Sequence, residues 1–214
     1  GKVVRMAQGG LCFQCTLLLT ALRIMCYKVF VGWRRPSPIQ WLTFRVVCVG
    51  LDGAGKSSLL FSAADHTRSA SLPSVSPTNG FKVRSVNVPP DCRLEVWDLG
   101  GAESIRPFWT HYLRSNTDAL IWVVDCADGR RIAQSCQLLI QLLESHVTLH
   151  GIPLLVILSK DDIAPAATVK HAEQVFEKAV TKQVGRSCRV HSCSVMRQDG
   201  IDEALQWLAG QLSR

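Results

Sequence analysis

Gly50-Leu51-Asp52-Gly53-Ala54-Gly55-Lys56-Ser57 satisfies the pattern G-x-x-x-x-G-K-[ST], and this stretch decides the fold. It follows an apolar run at 44–49 that predicts a strand, and it precedes a predicted helix that begins at Lys56. Glycines let such a loop curl so that its backbone N–H groups face phosphate oxygens, and the helix N-terminus adds partial positive charge. The motif therefore predicts a nucleotide site in which Lys56 contacts the β- and γ-phosphates and Ser57 ligates Mg²⁺. It does not select the base or the reaction.

Short β-rich runs alternate with helix-length segments from Phe44 onward, which is typical of βαβ units on a largely parallel sheet. Pro89-Pro90-Asp91 is too short for a crossover helix, so the second and third strands are predicted to pair as an antiparallel hairpin. The expected fold class is α/β, with a mixed, mostly parallel six-stranded sheet and helices on both faces. Strands are predicted at 44–49, 81–88, 94–98, 119–125, 154–158 and 189–193, and helices are predicted to begin at Lys56, Arg131, Thr168 and Ile201.

The composition is that of a globular protein: 47% of the 214 residues are hydrophobic and 19% are charged. This length accommodates one domain with a short extension. The formal net charge of +7 favours contact with an anionic surface, which could be phospholipid, nucleic acid or an acidic partner. No RNA-binding signature or zinc-finger spacing is present in the sequence, so nucleic acid is not expected as a partner.

Nine cysteines are scattered through predicted strands and helices. This distribution favours reduced thiols in a reducing compartment over a disulfide framework. Cys12 and Cys15 form a C-x-x-C pair, but the sequence has no second pair or histidine cluster at zinc-site spacing. A zinc site is therefore not expected.

An N-terminal extension is expected over 1–35, because residues 11–33 are rich in apolar side chains and predict a helix. Polar residues, among them Arg23, recur at steps of three and four, which is the pattern of a helix lying in a membrane interface. A membrane-spanning helix and a helix packed on the protein itself remain open, although Arg23 would be costly within hydrocarbon. Prolines then predict a linker at 36–43, and the main domain is expected over 44–214.

Asp98-Leu99-Gly100-Gly101 closes the third predicted strand, where a carboxylate can hold Mg²⁺ directly or through water. With its flanks, 96–97 and 105–112, this segment closely resembles the second switch region of the ADP-ribosylation factor (Arf) and Arf-like small GTPases. The resemblance runs from about Phe44 to the C-terminus and includes the motif at 50–57, the run at 77–81 and Asp199-Gly200-Ile201. It implies the fold and the guanine-nucleotide specificity of that family.

The resemblance also implies the residues of the site. Thr78 would sense the γ-phosphate, to which Gly101 would offer its backbone N–H, so the loop before Thr78 becomes the first switch. Such loops order when γ-phosphate and Mg²⁺ are present and relax when they are gone. The residues implied to bind GTP or GDP are Gly50, Asp52, Gly53, Ala54, Gly55, Lys56, Ser57, Ser58, Thr78, Gly101, Lys160, Asp162 and Ser194. Those implied to hold Mg²⁺ are Ser57, Thr78 and Asp98, and those implied to contact effectors are the aromatic residues Phe81, Trp97 and Tyr112.

Base recognition is expected after the strand at 154–158, where family members carry Asn-Lys-x-Asp and this chain has Ser159-Lys160-Asp161-Asp162. Asp162 can accept two hydrogen bonds from guanine, and the aliphatic stem of Lys160 can cover the base. Ser159 cannot reproduce the two-ended bonding of an amide, so nucleotide affinity is expected to fall about tenfold or more while guanine stays preferred. In Cys193-Ser194-Val195, the Ser194 backbone N–H is implied to meet guanine O6.

Ala102 occupies the position after Gly100-Gly101 where the family usually has the glutamine that orients the attacking water. A methyl group cannot hold a water molecule, so no catalytic side chain is assigned and intrinsic hydrolysis is expected to be very slow. Two function classes stay open: a slow GTPase switch whose partner completes the site, and a GTP-bound binding module that scarcely hydrolyses. The switch is favoured, and an ATP-using enzyme is a third alternative.

The expected partners are guanine nucleotide, effectors, exchange factors, GTPase-activating proteins and a membrane reached through the N-terminal helix. The chain is expected to be a monomer. Its expected place is the cytoplasmic face of an intracellular or plasma membrane, in trafficking or signalling.

Overall fold

A six-stranded sheet forms the centre of the chain, and its strand order is β2-β3-β1-β4-β5-β6. The computed structural model describes residues 22–27, 40–64, 76–182 and 185–214. Within them, one compact unit spans Trp41–Arg214. β2 pairs with β3 in the antiparallel sense and every other neighbouring pair is parallel, which confirms the mixed sheet. The strands are β1 (Leu42–Gly50), β2 (Phe81–Val88), β3 (Cys92–Leu99), β4 (Ala119–Asp125), β5 (Leu154–Ser159) and β6 (Cys188–Ser192).

The helices of this unit begin close to their predicted positions. They are α1 (Lys56–Ala64), α2 (Ile132–Ser145), α3 (Ala166–Thr181) and α4 (Ile201–Leu212), with 3-10 turns at Arg106–His111, Gly129–Arg131 and Val147–Leu149. The predicted starts at Lys56 and Ile201 are confirmed. The other two differ by one or two residues. The 3-10 turn before α2 ends at Arg131, and α3 begins directly after Pro165, whose fixed φ favours a helix start.

Two layers of apolar side chains cover the two faces of the sheet. Val46 and Cys48 of β1 point into the layer beneath α1 and α4, whereas Val47 and Val49 point into the layer beneath α2 and α3. This alternation follows from the two-residue period of a strand. The layers confirm that helices lie on both faces.

The central strands β4 and β5 are almost entirely buried. They read as continuous apolar runs because a parallel sheet between two helical layers meets hydrophobic side chains on both sides. The carboxyl ends of parallel strands lie at one edge of the sheet, and in an open α/β sheet this edge is where ligands bind. Here the loops after β1, β4, β5 and β6 all leave from that edge.

The hairpin predicted at 89–91 is confirmed, since Val88 pairs with Cys92 across it. β1 begins at Leu42, inside the predicted linker 36–43. In the predicted N-terminal extension, residues 22–27 are helical with exposed side chains, and the rest of that predicted helix lies outside the described residues. Among the residues described, no helix is long and apolar enough to cross a membrane.

Candidate functional site

A cavity of about 530 Å³ opens at the carboxyl edge of the sheet, between the loop after β1 and the segments before β2 and after β3. We call it the site cavity. Of the residues predicted to bind nucleotide, Gly50, Asp162 and Ser194 do not line it. Its walls are Asp52, Gly53, Ala54, Gly55, Lys56, Ser57, Ser58, Ser76, Pro77, Thr78, Asn79, Gly100, Gly101, Ala102 and Lys160.

The loop after β1 is shaped by glycines at its ends. Gly50 has a φ of +147°, and a Cβ there would lie 2.3 Å from the Val123 carbonyl oxygen, so no side chain fits. Gly55 has a φ of +88°, which also favours glycine directly before α1. These glycines allow the loop to turn tightly between strand and helix.

Lys56 is buried inside this loop. Its ammonium donates to the carbonyls of Gly50 at 2.9 Å and Leu51 at 2.8 Å. Burial lowers the pKa of the Lys56 ammonium, and nearby groups, Asp98 and Asp52 among them, oppose that shift. The loop thus holds a positive charge beside the site cavity, between the carbonyl groups of Gly50 and Leu51.

The three residues predicted to hold Mg²⁺ meet at one point. Ser57 Oγ donates to Asp98 Oδ2 at 2.5 Å and lies 3.0 Å from Thr78 Oγ1. Asp98 is fully buried, and its Oδ1 has no hydrogen-bond partner among the residues that the structure describes. Burial raises the pKa of the Asp98 carboxyl, while the hydrogen bond from Ser57 opposes the rise. Two hydroxyls and a carboxylate are the hard oxygen donors that Mg²⁺ prefers, and the unpartnered oxygen fits a cation, so the residues present suit this metal.

The segment after β3 lies directly against the loop after β1. A Cβ on Gly101 would lie 2.4 Å from the Gly50 carbonyl oxygen and 2.5 Å from the Asp52 nitrogen. The preceding carbonyl, that of Gly100, accepts from the indole Nε1 of Trp109 at 2.9 Å. Trp109 is only 3% exposed, so a buried side chain holds this segment in place.

Ala102 lines the site cavity with a methyl group. Its carbonyl accepts from the backbone nitrogens of Ile105 at 2.8 Å and Arg106 at 3.1 Å. The next side chain, Glu103, is 83% exposed and lies 3.7 Å from the guanidinium of Arg106. Neither residue therefore places a polar side-chain group within the site cavity.

Two arginines that the sequence analysis did not assign contact Asp52. Arg106 lies 3.3 Å and Arg131 3.2 Å from the same carboxylate oxygen of Asp52. Arg106 also donates from Nε to the Gly101 carbonyl at 2.9 Å, and Arg131 pairs with Asp128 at 2.9 Å. Asp52 thus joins the loop after β1 to the segment after β3 and to the start of α2. Because Arg131 is 79 positions from Asp52 in the chain, no local motif marked this contact.

The loop after β5 reaches the same cavity through two residues. Ser159 is 1% exposed, and its hydroxyl lies 2.6 Å from the Ala54 carbonyl oxygen and 2.8 Å from that of Val124. Lys160 has a φ of +61° and pairs with Asp125 at 2.7 Å. Ser159 therefore contacts the loop after β1 directly, and Lys160 forms a wall of the cavity.

Asp162 and Ser194 lie together beyond that wall. Asp162 Oδ1 accepts from Ser194 Oγ at 2.8 Å, and Ser194 Oγ also accepts from the backbone nitrogen of Arg197 at 3.0 Å. The backbone N–H of Ser194 donates to the Asp199 carbonyl at 3.1 Å. The predicted contact of that N–H with guanine O6 stays a prediction, and it requires this bond to be shared or exchanged.

The three predicted effector-binding aromatics form one cluster. The Phe81 ring stacks on Trp97 with centroids 5.1 Å apart and lies 5.0 Å from Tyr112. The guanidinium carbon of Arg45 lies 3.8 Å from the Trp97 ring centroid on the same three-strand part of the sheet. Phe81 is 44% exposed, so part of this cluster is accessible to solvent. We call Phe81, Trp97 and Tyr112 the aromatic face.

Comparison with protein families places these features in context. A model of the Arf family, described as the ADP-ribosylation factor family, matches residues 39–212. ADP-ribosylation factor-like protein 3 of Caenorhabditis elegans is 33% identical over 184 residues, which cover 86% of this chain and 94% of that protein. ADP-ribosylation factor-like protein 1 of the same organism is 37% identical over 176 residues, which cover 79% of this chain and 89% of the relative.

Solved structures agree on the fold. The Arl6 BBS3 small GTPase from Trypanosoma brucei, with the bound nucleotide analogue GppNp, matches with a TM-score of 0.67 at 24% identity. The match covers 81% of this chain and 99% of the other. The mammalian SRP receptor matches with a TM-score of 0.63, also at 24% identity, over 78% of this chain and 98% of that one. At this level of identity the likeness concerns the fold.

Proposed function

The chain belongs to the ADP-ribosylation factor family of small GTPases, and we propose on that premise that it is a Mg²⁺-dependent GTP switch with very slow intrinsic hydrolysis. The observation that supports this most is the meeting of Ser57, Thr78 and Asp98 beside the buried ammonium of Lys56. These groups come from three separate segments, and together they offer what a nucleotide triphosphate and its metal need.

In this proposal the nucleotide occupies the site cavity. The backbone N–H groups of the loop after β1 bind phosphate oxygens, and Lys56 exchanges its carbonyl partners for the β- and γ-phosphates. Ser57, Thr78 and Asp98 hold Mg²⁺, which neutralises charge on the phosphates. Asp162 accepts hydrogen bonds from guanine.

The switch connects the γ-phosphate to the aromatic face. Thr78 and Gly101, the two residues proposed to contact the γ-phosphate, lie on segments that touch each other, because a Cβ on Gly100 would lie 2.4 Å from the Thr78 carbonyl oxygen. Phe81 is three residues after Thr78, and Trp97 immediately precedes Asp98. Loss of the γ-phosphate would therefore change the conformation of the segments that carry the aromatic face, and effectors would bind one state and not the other.

Ala102 favours a second candidate, a GTP-bound binding module that scarcely hydrolyses. No side chain of residues 101–103 offers a group to orient water, since Gly101 has none, Ala102 has a methyl group and Glu103 points to solvent. A GTPase-activating partner could supply the missing group. Hydrolysis that such a partner stimulates would favour the switch, and hydrolysis that it leaves unchanged would favour the binding module.

Nucleotide affinity tests the main proposal. We expect the purified chain to bind GTP and GDP much more tightly than ATP, and we expect Mg²⁺ to strengthen GTP binding. Asp98→Asn should remove most of the Mg²⁺ effect, because it replaces the buried carboxylate with a neutral group. Equal affinity for ATP and GTP, or no response to Mg²⁺ in the unmodified chain, would contradict the proposal.

Single-turnover hydrolysis tests the role of Ala102. We expect Ala102→Gln to raise the rate by about tenfold or more, because a glutamine there can orient the attacking water. Ala133→Gln, an exposed position on α2, is the matched control and should leave the rate unchanged. If both variants behave like the unmodified chain, slow hydrolysis has another cause.

We also propose that the extension 1–35 brings the domain to the cytoplasmic face of a membrane, where a monomer recruits effectors and meets exchange factors. The net charge of +7 supports attraction to anionic lipid. Deletion of residues 1–35 should release the chain from vesicles that contain phosphatidylserine. Residual binding that disappears at high salt reflects individual surface charges of the domain, whereas salt-resistant binding of the shortened chain would refute the anchor.

A further inference from the structure

The hydroxyl of Ser159 is placed between the two halves of the site. One neighbour is the Ala54 carbonyl in the phosphate-binding loop at 2.6 Å, and the other is the Val124 carbonyl at the end of β4 at 2.8 Å. Ser159 also directly precedes Lys160, which lines the site cavity. We call the two bonds of this hydroxyl the Ser159 link.

The Ser159 link has too few protons for its acceptors. A serine hydroxyl carries one proton, so it can donate fully to one of the two carbonyls at any moment. A side-chain amide carries two N–H groups and could donate to both. Because Ser159 is 1% exposed, water does not readily replace the missing bond.

The Ser159 link affects both parts of the bound nucleotide. A Cβ on Gly55 would lie 3.7 Å from Ser159 Oγ and 4.0 Å from Cε of Lys160, so the loop that faces phosphate is packed on the residues that face the base. A nucleotide held by both parts is released more easily when they separate. A link with one proton where two bonds are possible lowers the barrier to that separation.

We infer that Ser159 is a positioning residue whose single proton makes nucleotide release faster than an amide would, so that the chain also loads itself with GTP when no exchange factor acts on it. The inference rests on the proposed function and adds its regulation. The GTP-bound fraction depends on two rates, nucleotide exchange and hydrolysis. A serine link, weaker than the link an amide would make, raises the first rate, and Ala102 lowers the second, so both residues favour the GTP-bound form when GTP exceeds GDP.

Release of a fluorescent GDP analogue, chased with excess GTP, measures the first rate. We expect Ser159→Asn to slow release by about fivefold, the factor that corresponds to one net hydrogen bond of ~1 kcal/mol. Ser159→Ala, which removes the link, should speed release by a similar factor. Ser135→Ala is the matched control, because Ser135 is also a buried serine and accepts from Trp122 Nε1 at 3.0 Å in the α2 layer.

Loading from a mixture of GTP and GDP measures the consequence. The unmodified chain should become mostly GTP-bound without any added protein, and the double variant Ser159→Asn with Ala102→Gln should retain more GDP at steady state. Unchanged release in both Ser159 variants would overturn the inference, and so would faster release in Ser159→Asn. If Ser159→Asn fails to fold by circular dichroism, Ser159→Ala with unchanged release is sufficient to overturn it. Failure of the unmodified chain to bind guanine nucleotide would instead overturn the proposed function.

Discussion

Replacement of Gly101 by alanine tests the contact between the two segments on which the switch depends. The added Cβ would lie 2.4 Å from the Gly50 carbonyl oxygen, 2.4 Å from the Leu51 carbonyl carbon and 2.5 Å from the Asp52 nitrogen. An ordinary contact begins near 3.4 Å, so the segments must move apart by about 1 Å. All three obstacles are backbone atoms of the phosphate-binding loop, and no side-chain rotation can remove them.

This displacement has two consequences of different size. Overpacking of this kind costs about 1–3 kcal/mol of stability, and we expect the upper end because backbone must move. The Gly101 N–H is also displaced from the position proposed to meet the γ-phosphate. A hydrogen bond to a charged group contributes about 1.5–3 kcal/mol, so affinity for GTP should fall roughly tenfold to a hundredfold relative to GDP.

Denaturant unfolding and nucleotide titration measure the two consequences separately. Gly210→Ala is the matched control, because Gly210 lies in α4 and, among the described residues, a Cβ there would have no neighbour within 4 Å apart from its adjacent residues and the helix's own backbone. That variant should gain about 1 kcal/mol from helix propensity and should leave both affinities unchanged. Unchanged stability in Gly101→Ala, together with an unchanged ratio of GTP to GDP affinity, would refute the assignment of Gly101.

Two further predictions concern the base and the buried thiols. Asp162→Asn should abolish the preference for GTP over ATP while keeping a bond to Ser194. Asp161→Asn, the control, should leave that preference unchanged. Competition binding measures both variants, and an unaltered preference in Asp162→Asn would contradict the base assignment. Burial raises the pKa of the Cys126 and Cys193 thiols to about 12, so their contribution to stability is complete below about 9 and is lost as pH rises toward 12. The free energy of unfolding should therefore fall between about pH 9 and pH 12. In Cys126→Ala this free energy should fall less steeply with pH. Equal slopes in the variant and the unmodified chain would show that other groups control the decline.

The sequence predicted most of the fold because its signals are local. A strand, a glycine loop and a helix start are adjacent at 44–57, and the hairpin is determined by three residues at 89–91. Ser57, Thr78 and Asp98 were grouped by the motif at 50–57 and by the resemblance to the Arf family, and the structure brings their side chains together. Boundaries were less accurate where a 3-10 turn precedes a helix, because both elements share similar side-chain spacing.

Contacts between distant segments could not be predicted in the same way. Arg106 and Arg131 carry no motif that assigns them to Asp52, and their placement depends on how the segment after β3 and the start of α2 pack. Ser159 was recognised as a departure, but its contact with Ala54, 105 positions away, was not. The sequence shows which side chain is present, whereas the acceptors within its reach are set by the packing of two loops.

The contacts of Ser159 give a different meaning to the presence of serine where family members carry asparagine. From the sequence, loss of an amide predicts weaker binding, which would be a defect. In the structure, the hydroxyl reaches the carbonyls of Ala54 and Val124, so the two loops remain in contact through a group that has one proton to donate. On the inference drawn above, such a site would exchange nucleotide quickly and still bind it, which distinguishes it from a damaged site. With Ala102 limiting hydrolysis, fast exchange favours the GTP-bound form, and the two substitutions are then parts of one regulatory property.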